Sequence, residues 1–124
     1  MILRRLHVAV AVLYPVLILV QVFLAGAAIA NLGGSGDFAT HIEFGYTWMG
    51  LATLLLIVTA LAARRPRRDV GYTIALLVLY IVQTILPSLR ASLPALAALH
   101  PVNALLLFGL AAWYGRHAWQ VEMA

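Results

Sequence analysis

Two histidines, His41 and His100, stand near the start of two long apolar runs, THIEFGYTWMGLATLLLIVTALAA and LPALAALHPVNALLLFGLAAWYG. An ionisable side chain kept inside a membrane-length apolar run is costly and points to function. Two that converge suit a metal or a metallo-cofactor gripped between imidazoles. Gly45 follows His41 by one helical turn, and Ala104 follows His100 by one turn. Small residues there leave flat space beside each ring, as a porphyrin needs. Gln21 and Gln83 are the strongly polar interior residues of two other apolar runs. They can hydrogen-bond the ring nitrogens not used for ligation, or the cofactor edge. Trp48 lies seven residues along from His41, where it either flanks a macrocycle or simply packs.

Porphyrin propionates prefer a polar boundary. Arg90, Asn31, Ser35, Ser88 and Ser92 are available on the side where both histidines fall. Arg90 is the first candidate, because its guanidinium offers a charge-assisted fork; the alternative is an interfacial arginine against lipid headgroups. The histidines themselves have a plainer reading, as helix-end residues at the headgroup boundary. His41 adjoins a polar loop, whereas PALAALH carries His100 below the surface and Pro101 disturbs the backbone beside it. A second pair, His7 and His117, adjoins arginines at the opposite end and is expected to be solvated rather than to hold a second haem. His41 and Glu43 do not form a metal pair, since residues two apart on a helix point in different directions.

The chain has no cysteine, which removes disulfides, thiolate metal sites, iron–sulfur clusters and c-type haem attachment. Its four acidic residues leave few candidates for hydrolytic chemistry, and no nucleotide loop, zinc-protease helix or Ser-His-Asp set is present. The eight positive charges are all arginines lying at the ends of apolar runs. That pattern fits topology control and anionic lipid better than nucleic acid.

These residues must be positioned by membrane helices. Of 124 residues, 65% are hydrophobic and 10% charged, more apolar surface than a soluble domain of this size can bury. The expected fold is all-α, a single integral membrane four-helix bundle with spans near 6–30, 41–63, 70–86 and 94–119. The first run is too long for a signal peptide and reads as a retained span. Pro15 is placed to kink it, and NLGGSGDFAT follows as a loop. Thr40 with Glu43 reads as a capping box for the second span, and Ser92 as a cap for the fourth. Arg4, Arg5, the Arg64–Arg68 cluster and Arg116 fall on one side, against Arg90 on the other. Both termini are therefore expected in the cytoplasm. Counted from that side, His41 and His100 lie at heights of about 33 and 28 Å, near the outer face.

At QVFLAG, THIEFGYTWMGLATLLL, VQTILP and LHPVNALLLFG the chain resembles a family of small, uncharacterised four-span bacterial membrane proteins, and the likeness covers nearly its whole length. More distantly, its second and fourth spans resemble one four-helix half of the haem A synthase family, where paired histidines bind haem b near the outer face. The resemblance implies axial ligation by His41 and His100. The synthase pattern has an acid three residues before its histidine and an arginine just after it; those positions are Phe38 and Ile42 here. What carries over is thus haem binding and not haem A synthesis.

The resulting expectation is a multi-pass protein of the bacterial inner membrane. It holds one b-type haem between His41 and His100, for electron transfer, haem handling or redox sensing, without bond-making catalysis. The rival expectation is a structural subunit of a larger membrane complex or a homo-oligomer, with no cofactor or with a chlorophyll-type pigment. Small-residue faces on the first and last spans are compatible with lateral assembly. A small transporter is a weaker third option, since no span carries paired interior charges.

Overall fold

A computed structural model describes residues Met1–Ala124. It is all-helical, and four stretches are long and apolar enough to cross a membrane: Ile2–Ile29, Ala39–Ala62, Arg67–Ala91 and Pro94–Met123. The first two are the uninterrupted helices α1 (Ile2–Ile29) and α2 (Ala39–Ala62). The third is α3 (Arg67–Ile85) followed by a 3₁₀ segment, Leu86–Ala91. The fourth is a single turn, α4 (Pro94–Ala97), and then α5 (His100–Met123).

Prolines explain the breaks. Pro87 cannot donate an amide hydrogen, so α3 tightens into 3₁₀ geometry there. Pro94 and Pro101 each stand in a helical first turn, where a missing N–H costs little. At the opposite end the helices run beyond the apolar residues. Arg4, Arg5, Arg67 and Arg68 are all helical, since arginine is a good helix former and its charge reaches outward.

Two helices end in the same way. Asn31 and Arg64 are left-handed, with φ of 55° and 51°. The amides of Leu32 and Arg65 close back onto the Ala27 and Ala60 carbonyls, the pattern of a Schellman cap. The expected side-chain caps are not used. α2 begins at Ala39, with Phe38 before it and no side-chain cap. Asp37 instead accepts the Ala39 amide. Leu93, not Ser92, precedes α4, and the Ser92 hydroxyl donates to the Leu89 carbonyl.

α1 packs on α2 and α5, and α3 packs on α2 and α5. The helices thus occupy the corners of a square, with α2 diagonal to α5. The core runs along the axis through Val8, Ala11, Tyr14 and Ile18 of α1, Met49, Ala52 and Leu56 of α2, Leu76 of α3, and Leu107, Ala111, Tyr114 and Ala118 of α5. On α1 the three- and four-residue spacing keeps these on one face. Only 23 of 124 residues are buried, so most leucines, isoleucines and valines point outward. A surface that apolar needs lipid around it.

At Gly115 the backbone of α5 comes close to that of α1. Pro15 has no N–H to offer the Ala11 carbonyl one turn earlier. A Cβ on Gly115 would lie 2.6 Å from that carbonyl oxygen. Glycine lets α5 come down onto the freed carbonyl.

Candidate functional site

His41 lies in the first turn of α2 and His100 opens α5, at the end of the bundle away from the arginine cluster. Because these helices are diagonal, their side chains meet across the bundle. The imidazole centres are 6.4 Å apart and the ring planes cross at 75°. Both rings are half-buried.

The hydrogen bonds fix the tautomers. His41 Nδ1–H donates to the main-chain carbonyl of Gln21 at 2.9 Å. A carbonyl can only accept, so Nδ1 carries the hydrogen and Nε2 the lone pair. The Gln21 amide nitrogen sits 3.3 Å from that Nε2 and donates a better bond, 2.9 Å, to the His41 carbonyl. His100 repeats the arrangement: Nδ1–H donates to the Gln83 carbonyl at 3.1 Å, and the Gln83 amide nitrogen is 3.2 Å from Nε2. The Gln83 carbonyl is free for this because the residue four positions on is Pro87, which has no amide hydrogen. An Nδ1–H held by a carbonyl, leaving Nε2 as donor atom, is how metal-ligating histidines are oriented. The glutamines therefore act mainly through their carbonyls, where the sequence suggests their side-chain amides.

Asn103, one turn after His100, joins the site unannounced. Its amide donates to Gln83 Oε1 at 2.7 Å and to the Leu79 carbonyl at 2.9 Å, holding the Gln83 side chain in place. Gln21 has no such anchor, and its Oε1 is buried without a partner. Asn103 was visible as the one amide in the apolar run after His100. Phe38 is a second unforeseen neighbour, its ring edge-on to His41 at 6.0 Å.

The other sequence candidates fall as follows. The space beside Gly45 is taken by the Gln21 amide, since a Cβ there would lie 2.7 Å from its nitrogen. Ala104 is half-buried one turn below His100. Trp48 turns away from the histidines and lines an outer groove with Leu17, Phe44, Leu51 and Leu55. Arg90 is exposed on the 3₁₀ segment.

His7 and His117 do not face each other as ligands. His7 is 0% exposed, whereas the sequence suggests a solvated ring. The Thr59 hydroxyl donates to the Leu55 carbonyl, so it accepts from His7 Nδ1–H at 3.0 Å. The Tyr114 hydroxyl then donates to His7 Nε2 at 2.7 Å. Both nitrogens are satisfied by protein. Helix packing buries His7 because its partners arrive from α2 and α5. His117 stacks flat on Trp113 at 5.4 Å and reaches Asp69 at 3.5 Å. Beside it, buried Arg65 bridges Asp69 and Glu122 at 2.8 and 3.3 Å, tying the start of α3 to the end of α5.

No three histidine, aspartate or glutamate side chains converge to hold a metal ion. A metal at His41 and His100 would thus have two protein ligands. That suits a metallo-macrocycle, which brings its own equatorial nitrogens, better than a bare ion. A metal bound by two imidazole nitrogens at about 2 Å each would hold the ring centres roughly 6 Å apart, against the 6.4 Å seen; here each Nε2 faces a glutamine amide nitrogen.

Comparison with known proteins finds one family, described as "Family of unknown function (DUF6220)", matching residues 21–91. The match begins at Gln21 and takes in His41, Gly45, Trp48, Gln83 and Arg90, while His100 and Asn103 lie beyond it. Neither the curated proteins nor the solved structures give a match. Matched over more than half its length, the chain belongs to the DUF6220 family, a family of unknown function.

Proposed function

We propose that this protein binds one b-type haem, which His41 and His100 would hold. We place the site near the outer face of a bacterial inner membrane, with both termini in the cytoplasm. The observation that supports this reading best is the mutual geometry of the rings: 6.4 Å between centres, each with Nδ1–H held by a carbonyl and Nε2 as the unprotonated nitrogen. Bound haem supplies one-electron redox chemistry, and the reading is accordingly electron transfer, haem handling or redox sensing.

The chain's own residues do the positioning. The Gln21 and Gln83 carbonyls fix ring orientation and raise the basicity of each Nε2. Ligation requires the two amides to leave the lone pairs. These bonds to Nε2, 3.3 and 3.2 Å, are the longer of the two that each ring makes. Gln21 is the freer of the two, lacking any partner for its Oε1.

Protein purified from haem-replete cells should carry about one haem per chain by pyridine extraction, with a sharp α band on reduction. His41→Ala/His100→Ala should lose it while remaining folded. A colourless wild-type preparation, or full haem retention by the double variant, would refute the proposal.

A further inference from the structure

On the surface between α1 and α5 lies a groove of about 420 Å3, at the end of the bundle away from the histidine pair. It is lined by Val12 and Pro15 of α1 and by Ala112, Gly115, Arg116 and Trp119 of α5. At Gly115 the two helices lie too close for any side chain between them, and the groove runs along the outside of that seam.

Arg116 is exposed there and pairs with no acid. The two acids at this end, Asp69 and Glu122, are both taken by Arg65, and Asp69 also faces His117. Arg116 lies seven residues before the last residue of α5, Met123, or about 10 Å inside the helix end. Arg116 stands one turn inside Trp119, at the edge of the apolar run, where its side chain reaches toward the headgroup boundary. A phosphodiester matches its fork, and a basic pocket between membrane helices is suited to anionic headgroups. Trp119, one turn nearer the end, has the amphipathic ring that settles at headgroup level.

We propose that this groove binds one anionic phospholipid, its phosphodiester on Arg116 and an acyl chain against Pro15, Ala112 and Gly115. The proposal is independent of the haem reading.

Native mass spectrometry of the full chain, titrated with phosphatidylglycerol or phosphatidylethanolamine in mild detergent, tests it. The wild type should retain one phosphatidylglycerol in preference to phosphatidylethanolamine. Arg116→Gln should weaken phosphatidylglycerol about fivefold and erase the preference. Ala112→Leu, which fills the groove and keeps the charge, should weaken both lipids. Arg64→Gln, exposed at the same end but outside the groove, should behave as wild type. Equal retention of the two lipids by the wild type overturns the proposal. So does undiminished binding by both Arg116→Gln and Ala112→Leu, or an equal loss in Arg64→Gln. Efficient cross-linking of Ala112→Cys chains to one another in membranes would make a second copy the occupant, and would overturn it too.

Discussion

An imidazole inside an apolar bundle either has both nitrogens held by close partners or keeps one in a longer contact, and this chain contains both cases. His7 spends both nitrogens on Thr59 and Tyr114; His41 and His100 spend only Nδ1 on strong partners. Tyr114→Phe should therefore act on stability alone. It strands His7 Nε2 in a site that water does not reach, and a hydrogen bond between membrane helices is worth about 0.6–1.7 kcal/mol. Unfolding in rising dodecyl sulfate should show a loss of that size, and the proposed haem binding should be unaffected because Tyr114 lies at the far end. Unaltered stability would mean that His7 finds another donor. The contrast between these histidines was only half legible in the sequence. His41, His100, Gln21 and Gln83 stand out as polar residues in apolar runs. The burial of His7 does not, since Thr59 and Tyr114 are 52 and 107 residues away and only the packing of three helices brings them together.

The helices were legible as apolar runs, and their interruptions as prolines, but what each proline releases depends on the neighbouring helix. Pro87 frees a carbonyl that His100 takes; Pro15 frees one that Gly115 covers. Two glycines of α5 separate this effect from simple helix propensity. A Cβ on Gly109 would meet nothing within 4 Å, whereas one on Gly115 would meet the Ala11 carbonyl oxygen at 2.6 Å and Val12 Cα at 3.3 Å. Gly109→Ala should be stabilising by up to about 1 kcal/mol, because alanine is the better helix former. Gly115→Ala should be destabilising by about 1–3 kcal/mol, because backbone on both sides cannot turn away as a side chain would. The same dodecyl sulfate titration reads both. Identical signs for the two substitutions would remove the close approach as a stabilising feature. Nothing in the residues flanking either glycine distinguishes them, so this part of the architecture waits for coordinates.

At the scale of the whole molecule, charge and chemistry occupy opposite ends. Seven of the eight arginines, all but Arg90, lie where α1 and α3 begin and α2 and α5 end. The histidine pair lies at the other end, beside the loop after α1 and the turn before α5. Only Arg65 among the seven is buried, and it is neutralised by Asp69 and Glu122; the remaining six stay free to set orientation. In the proposed orientation that end faces the cytoplasm and the histidine pair the outside. A fluorescent reporter fused after Ala124 should be bright, and an alkaline phosphatase fused there inactive, since the first folds inside the cell and the second only outside. Phosphatase inserted in the loop at Gly34 should give the reverse. Active phosphatase at the C terminus would turn the molecule over. It would leave the imidazole geometry untouched but put the histidine pair toward the cytoplasmic side.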